Sequence, residues 1–423
     1  MVEEHTPPAL VAREAAAARA ALDRLSDDAV AAALELAAEF LRERRGDVLR
    51  ASEADVSAAT GRLDEGALDR LRLDDDRIEA IALGLEATAE LAPIDREVRA
   101  WTLPNGLRVS ERLVPIGVVG ANFEARPNVA VDVASQVLKS GNTVVLRTGG
   151  AALGAVTELV DGVLRPALEQ SGLPPEAVGL VRSPDRAGAE ALVSLPDLIP
   201  LVVLRGSGPS TAALAQRAAL NGVRTLAHAE GGGVLYVHEA ASLERLVDVA
   251  RASLDRLGVC NRLNLALVDA GARAMVSTLI EIFREHELEI RGTDAVLDLR
   301  GVLPLDERLG HEWASDSERV STVTLHVVEG IDEAVRIANE ETSGLAATIV
   351  TEDDAAAARF LDGYRGTTAL WNATTRFTDG FRLLGTPETG INVDWAPGPR
   401  GPVTYRDLCL RQYRVVGDGS QKP

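Results

Sequence analysis

Hydrophobic residues recur at helical spacing through most of the first 90 residues. This spacing predicts a helix over residues 9–25, a second that begins after Ser26 and ends at Gly46, and a third over residues 74–90. Ser26 is a residue type that caps helix N-termini, and the arginines ahead of Gly46 suit the negative end of a helix dipole. The chain therefore opens on a helical segment.

A hairpin and two runs of strands follow. Beyond Trp101, the turn residues Asn105 and Gly106 lie between alternating segments, which is typical of a β-hairpin. Short apolar segments then alternate with helical ones, to about residue 230 and again over 233–371. The predicted strands are 116–120, 143–146, 178–182, 201–204, 234–237, 263–268, 322–328 and 348–350, with one more at 411–416. This alternation predicts βαβ units, parallel sheets and the α/β fold class, while a strand that follows two finished α/β units often belongs to an interface.

Length and composition narrow the class of protein. The 423 residues exceed one ordinary core, so we expect two or more domains or one large α/β enzyme. Hydrophobic residues make up 46% of the chain, yet no apolar run reaches the ~18–20 residues of a membrane span. The acidic start lacks the pattern of a signal peptide, which favours the cytoplasm. The net charge of −20 argues against nucleic acid and anionic membranes as partners.

Three glycine-containing turns follow predicted strands, at the position where open α/β sheets bind ligands. They cover residues 120–128, 147–150 and 205–210. Glycines in such turns let backbone N–H groups approach a phosphate. None of the turns matches a GxGxxG or Walker sequence, and each alone could be an ordinary turn. Together, at the ends of strands of one sheet, they favour a dinucleotide ligand.

The chain has two cysteines, Cys260 and Cys409, which excludes a disulfide framework. Cys260 lies between a helical pattern and an apolar strand, where a thiol preceded by glycine is accessible enough for acyl transfer. A lone cysteine is more often a small buried apolar residue, so both interpretations stay open. His228 and Glu230 precede a glycine run and could form a general-base site, although we favour a structural role. The six histidines show no metal-ligand spacing.

Six ordered segments make the chain similar to a known family. They are WTLPNGLRVSERLVPIGVVG, FEARPNVAVD, LKSGNTVVLR, GVCN, NATTRFTDGF and a final RGP. In this order and at these separations they resemble the γ-glutamyl phosphate reductases (glutamate-5-semialdehyde dehydrogenases), a branch of the aldehyde dehydrogenase superfamily. The similarity covers essentially the whole chain.

The resemblance implies an aldehyde dehydrogenase-like α/β fold of three parts. These are a Rossmann-like NADP-binding domain over residues 1–97 and 118–230, a catalytic domain over 231–366 with Cys260, and an oligomerisation flap over 98–117 and 370–423. It also implies reduction of L-glutamyl 5-phosphate with NADPH to glutamate 5-semialdehyde and phosphate, the second step of proline biosynthesis, in a homodimer or homotetramer. An upstream kinase would supply the acyl phosphate.

The same resemblance implies roles for residues around the thiol. The Cys260 thiolate would attack the acyl phosphate and form a thioester that accepts hydride. The oxyanion would lie on the Cys260 N–H and a side-chain amide, for which Asn128 is the candidate, although ungapped counting from LKSGN places Glu124 there. Glu230 occupies the position of the superfamily's general base, which hydrolyses thioesters. A reductive enzyme must avoid that step, so Glu230 could be structural.

Arginines and turn residues are the other candidate contacts. Arg147 stands where many superfamily members have a lysine near the cofactor ribose, so its guanidinium could pair with the 2′-phosphate of NADPH. The nicotinamide half or the pyrophosphate is assigned to Arg205, Gly206, Ser207 and Gly208, with Gly149 from the second turn. The acyl phosphate substrate is assigned to Arg126, Asn261, Asn372 and Arg376, where packing between domains is the alternative for Asn372 and Arg376.

The chain also departs from the family pattern. Arg262 stands where an apolar residue is usual, Val234 replaces a histidine, Arg319 and Val320 replace an aromatic-leucine pair, and GPRGP lacks the usual histidine. These departures leave the thiol chemistry in place and the substrate open. The alternatives are a reductase of another acyl phosphate or acyl thioester, and a non-catalytic oligomer that binds nucleotide.

Overall fold

The computed structural model describes residues 6–206, 208–228, 231–316, 318–394 and 398–422. The described chain opens on five helices: α1 Pro7–Ala21, α2 Asp27–Glu43, α3 Arg45–Ala59, α4 Glu65–Leu71 and α5 Asp75–Ala89. The side chains of Ser26 and Asp74 cap α2 and α5 by accepting backbone N–H groups. The sequence predicts three helices here and misses α3 and α4. The predicted end at Gly46 is wrong, because Arg44 alone separates α2 from α3 and Gly46 stays helical within α3.

A three-stranded antiparallel sheet joins a hairpin after the helical segment to the last strand of the chain. Strands β1 Glu97–Thr102 and β2 Arg108–Pro115 form the predicted hairpin, with Gly106 in the left-handed region at φ 89°. The last strand, β17 Cys409–Val416, pairs with the other edge of β2. The hairpin and the last strand therefore form one sheet in which β17 is an edge strand.

Two parallel sheets form the centre of the fold. The first has the order β5-β4-β3-β6-β7, with β3 Val118–Phe123, β4 Thr143–Thr148, β5 Val178–Leu180, β6 Leu201–Arg205 and β7 Arg224–His228. The second has the order β11-β10-β12-β9-β8-β13-β14, with β8 Gly233–Val237, β9 Leu263–Asp269, β10 Glu289–Gly292, β11 Val302–Pro304, β12 Thr322–Val328, β13 Ala346–Val350 and β14 Thr368–Trp371. A small pair, β15 Gly390–Asn392 and β16 Gly401–Val403, is antiparallel. Each predicted strand overlaps a strand of the structure, with the last one on β17, and the two parallel sheets confirm the α/β class.

Helices cover both faces of the two sheets. Around the first sheet lie α6 Asn128–Lys139, α7 Leu153–Thr157, a π-helical segment Glu158–Leu164 that continues into α8 Arg165–Gln170, α9 Arg186–Leu192 and α10 Gly208–Asn221. With the second sheet are α11 Leu243–Ala252, α12 Val276–Glu285, α13 Ile331–Glu340 and α14 Asp354–Gly363. The short helix α15 Gly380–Leu384 approaches α5, where Phe381 lies beside Gly84. Apolar side chains of strands and helices interlock on each face, as parallel sheets require.

Lys139 fixes the end of α6 against the helical segment. Its ammonium is buried and donates to Asp27 Oδ2 at 3.0 Å and to the carbonyl of Ala89 at 3.2 Å. Both acceptors belong to the N-terminal helices, so one side chain joins α6 to α2 and α5. Among the described residues, no helix is long and apolar enough to span a membrane.

Candidate active site

The carboxyl ends of three neighbouring strands meet at one edge of the first sheet. Strands β3, β4 and β6 end at Phe123, Thr148 and Arg205, so the three predicted turns converge. The first turn is shorter than the sequence predicts, because β3 continues through residues 120–123. Ligands of open α/β sheets bind at such an edge.

Two cavities meet here, with volumes of about 590 and 450 Å³. The first cavity lies over the ends of β3 and β4, and the second extends between α5, α6 and the segment around Glu388. Four residues line both cavities: Arg70, Arg126, Gly258 and Cys260. The thiol therefore faces two separate binding spaces, which a lone buried cysteine would not.

The connection between α11 and β9 positions Cys260. Its carbonyl accepts the N–H of Gly232 at 2.6 Å, and the carbonyl of Arg262 accepts the N–H of Gly233 at 2.8 Å. A Cβ at Gly231 would lie 2.5 Å from the Cβ of Cys260, so only glycine permits this approach. Within the described part of the chain, the N–H of Cys260 has no acceptor and is available to an oxyanion.

Charges around the thiol act in opposite directions. The pKa of Cys260 is raised to about 11, mainly by burial and in addition by the carboxylates of Glu312 and Glu388, whereas the guanidinium groups of Arg126 and Arg205 act to lower it. Burial also lowers the pKa of Arg126 to about 10, so this arginine stays charged at neutral pH. The resting thiol is therefore protonated, and its activation depends on these neighbours.

The first cavity contains most of the predicted cofactor residues. Arg147, Gly149 and Gly206 line it, whereas Gly208 begins α10 and does not. Arg205 was predicted as a cofactor contact, but it lines the second cavity and not the first. Its side chain donates to the carbonyl of Thr389 at 3.5 Å. Ser207 lies outside the described residues.

Two arginines border the first cavity where β4 and β5 end. The guanidinium of Arg147 is buried and donates to Asn122 Oδ1 at 3.1 Å and to the carbonyls of Pro184 and Asp185 at 3.0 Å. Its Nε has no partner among the described residues. Arg186 is exposed, lines the same cavity and has no hydrogen bond within the described chain. No motif distinguishes Arg186 from other surface arginines, so its sequence gives no signal for this position.

Arginines dominate the second cavity. It is lined by Arg70, Arg72, Arg77, Arg126, Arg205, Arg256 and Arg376, together with Asp132, Asp379 and Glu388. Three of these arginines come from the N-terminal helical segment, which the sequence analysis did not connect with the site. Their excess positive charge offsets locally the negative charge of the whole chain, as an anionic substrate requires.

Asn128 lies in the second cavity at the start of α6. Its Nδ2 donates to Asp132 Oδ2 at 2.9 Å, one helical turn further along. Burial raises the pKa of Asp132 to about 7, opposed by Arg205 and supported by Glu388. Asn128 thus faces the same cavity as the thiol, while its rival Glu124 lines the first cavity and accepts from Ser210 Oγ at 3.4 Å.

Asn261 and Arg376 form a buried pair beside the thiol. Arg376 Nη1 donates to Asn261 Oδ1, and Arg376 Nε donates to Asp255 Oδ1 at 2.6 Å. Asn261 Nδ2 in turn donates to the carbonyl of Thr378 at 3.0 Å. Both residues line the second cavity, although their hydrogen bonds to protein groups also hold the Cys260 connection in place.

Asn372, a predicted substrate-binding residue, lies outside the two described cavities. Its amide bonds to the backbone of Thr351, with Oδ1 accepting at 3.1 Å and Nδ2 donating at 2.9 Å, and it lines neither cavity. The left-handed φ of 51° explains why asparagine is tolerated at this turn. The hydrogen bonds of Asn372 to Thr351 therefore fit its alternative interpretation, which is packing of a crossover between domains. Glu230 lies outside the described residues.

Two of the departures from the family pattern contact each other. Arg262 is 3% exposed and donates from Nη1 to the carbonyl of Val320 at 3.0 Å. Burial lowers the pKa of Arg262 to about 10. Arg262 lines neither cavity, so this departure alters the support behind the thiol connection and not its ligand-facing side.

Comparisons with known proteins agree with this geometry. A sequence model of the aldehyde dehydrogenase family matches residues 8–285. The γ-glutamyl phosphate reductase of Erythrobacter litoralis is 35% identical over 402 residues, covering 94% of this chain and 93% of that protein. The crystal structure of γ-glutamyl phosphate reductase from Thermotoga maritima superposes with a TM-score of 0.87 at 29% sequence identity. The match covers 98% of this chain and 100% of that one. An engineered glycolyl-CoA reductase with bound NADP+ shares the fold, with a TM-score of 0.69 at 16% identity over 96% of each chain.

Proposed function

Because the chain belongs to the aldehyde dehydrogenase family, in its γ-glutamyl phosphate reductase branch, we propose that it reduces L-glutamyl 5-phosphate to glutamate 5-semialdehyde and phosphate with NADPH. The observation that supports this best is the position of Cys260, which lines both cavities. A nicotinamide in the first cavity and an acyl phosphate in the second would meet at the thiol.

The residues around the thiol suit each step of the reaction. Cys260 Sγ attacks the acyl carbon, the C–O bond to phosphate breaks, and a thioester remains. The N–H of Cys260, which has no acceptor within the described chain, and the second N–H of the Asn128 amide would donate to the oxyanion. NADPH supplies hydride to the thioester carbon. The thiohemiacetal oxyanion then collapses, releases the aldehyde and returns the sulfur to Cys260.

The residues of the first cavity fit a phosphorylated dinucleotide. Within the described chain, the buried Nε of Arg147 and the whole guanidinium of Arg186 have no hydrogen-bond partner. We therefore place the 2′-phosphate between them, with most of the free N–H groups coming from Arg186.

We expect Arg186→Ala to weaken NADPH binding about 10–100-fold while NADH binding changes little, because the loss is one or two charge-assisted hydrogen bonds. Fluorescence titration of both cofactors measures this. Arg182→Ala is the matched control, since Arg182 pairs with Asp161 outside the cavities. Arg147→Ala, measured in the same way, tests the contact of Arg147 with the 2′-phosphate that the family resemblance implies. Equal losses of NADPH and NADH in both variants would refute the phosphate site.

The second cavity fits an amino acid with an additional phosphate. Its seven arginines suit the carboxylate and the phosphate, whereas Asp132, Asp379 and Glu388 suit an ammonium group. Asp132 has no cationic partner at ion-pair distance among the described residues, and its pKa of about 7 reflects burial without one. An α-ammonium group beside Asp132 would supply that charge.

The reverse reaction tests the function and this subsite together. Wild type should reduce NADP+ with glutamate 5-semialdehyde and phosphate, and hardly with 5-oxopentanoate, which lacks the amino group. Asp132→Asn should lower kcat/KM for the semialdehyde about 10²-fold and leave 5-oxopentanoate unchanged. Because Asp132 is charged above its pKa of about 7, the preference for the amino substrate should rise with pH through that value in wild type only. Activity restricted to another aldehyde, or with coenzyme A in place of phosphate, would instead support the alternative substrate.

The three-stranded sheet suits assembly. Strand β17 has a free edge within the described structure and exposes Leu410, Tyr413, Val415 and Val416. Such edges pair with other chains, so we propose that the sheet joins copies of the chain into a homodimer or homotetramer. We further propose that the enzyme acts in the cytoplasm, where a kinase would supply the acyl phosphate.

A further inference from the structure

The proposed reaction leaves the proton of the thiol unassigned. Burial raises the pKa of Cys260 to about 11, so the sulfur must lose a proton as it attacks. The described residues that line the two cavities include no histidine, lysine or tyrosine. Near neutral pH, the proton-accepting side chains that these described residues offer are carboxylates.

Five of the six carboxylates on these cavities are already hydrogen-bonded to protein groups. Asp64, Asp379 and Glu388 accept backbone N–H groups at 2.8, 3.1 and 2.9 Å. Asp132 accepts from Asn128, and Glu124 accepts from Ser210. Glu312 is the exception: within the described chain its carboxylate accepts no hydrogen bond and forms no ion pair. A buried carboxylate without partners is costly to keep, so its retention needs a reason.

Glu312 is also the carboxylate beside the thiol. It is 8% exposed and lines the first cavity with Cys260. A Cβ at Gly231 would lie 2.5 Å from both Glu312 Oε1 and the Cβ of Cys260, so the two side chains flank one glycine. Arg126 faces both groups, and Arg205 and Glu388 face the thiol from the second cavity.

We propose that Glu312 accepts the proton of Cys260 during attack on the acyl phosphate, a role that rests on the proposed function. The S–H bond breaks as the S–C bond forms, phosphate leaves with the electrons of its C–O bond, and Glu312 becomes neutral. When the thiohemiacetal collapses, the sulfur leaves as thiolate and Glu312 returns the proton. The departing phosphate takes up the one proton that the overall reaction consumes, and solvent supplies it.

Glu312→Gln is expected to have two opposite effects. Loss of the proton acceptor should lower turnover of the full-length enzyme about 10²–10³-fold. Loss of a negative charge beside the sulfur should lower the pKa of Cys260, so that iodoacetamide alkylates it faster at pH 8. Alkylation is followed on the Cys260 peptide by mass spectrometry, which keeps Cys409 out of the signal. Glu312→Asp should restore part of the turnover.

Glu307→Gln is the matched control, since Glu307 lies on the surface and pairs with Arg319. Turnover of Glu312→Gln within threefold of wild type would overturn the proposal. A loss of turnover with an unchanged pH dependence of alkylation would also overturn it, because the carboxylate would then act only through structure. Alkylation needs no substrate, so failure of glutamate 5-semialdehyde as substrate would refute the proposed function separately from Glu312.

Discussion

Cys260→Ala is expected to abolish turnover while cofactor binding persists. Without the sulfur no thioester forms, and only direct hydride transfer to the acyl phosphate remains. The rate should therefore fall by about 10⁴-fold or more. The methyl group is smaller than the thiol and leaves the first cavity open to the dinucleotide. Stopped-flow measurement of NADP+ reduction and fluorescence titration of NADPH report the two properties separately.

Cys409→Ala provides the control for this variant. Cys409 begins β17, accepts from Arg96 Nη1 at 3.6 Å and lines neither cavity. It should therefore keep turnover near that of wild type. Residual turnover of Cys260→Ala above one hundredth of wild type would exclude a covalent mechanism and favour direct hydride transfer.

The strongly apolar elements are the part of the fold that the sequence predicts. Strand β12 lies at the predicted residues, and β3, β4 and β9 differ from theirs by a few residues at the ends. The sequence did not predict strands β7, β10, β11, β14, β15 and β16. β10 reads Glu-Ile-Arg-Gly and is a strand because β11 and β12 pair with it on either side, a contact between distant residues that local periodicity does not contain.

Contacts between residues that are distant in sequence also explain which site residues were predicted and which were missed. Cys260 and Arg126 lie within segments that resemble the family, so sequence alone brought them forward. Glu312 and Arg186 lie in segments without a recognisable motif, and only the folded chain brings them to the first cavity. The one available signal for Glu312 was its position shortly before β12 in the catalytic half. Lys139 is the opposite case: it belongs to a segment that resembles the family, yet it does not line either cavity. Its ammonium forms a buried ion pair with Asp27.

Arg126 is the residue whose removal should cost most after Cys260. Its guanidinium lines both cavities, lowers the pKa of the thiol and has no hydrogen bond or ion pair within the described chain. A partly buried guanidinium that no described carboxylate hydrogen-bonds is expensive to keep, which indicates that the ligand supplies the missing acceptor. The phosphate of the substrate, bound over the sulfur, is the group that the proposed reaction places there.

Arg126→Ala should lower kcat/KM about 10³-fold, because substrate phosphate and developing thiolate both lose their cation. It should also raise the pKa of Cys260 and slow its alkylation at pH 8, the opposite of the effect expected for Glu312→Gln. Arg126→Lys, which keeps a point charge without the planar donors, should recover the alkylation rate more fully than kcat/KM. Faster alkylation of Arg126→Ala would contradict this arrangement. The two variants therefore reduce turnover for different reasons, and the thiol pKa distinguishes loss of the cation from loss of the proton acceptor.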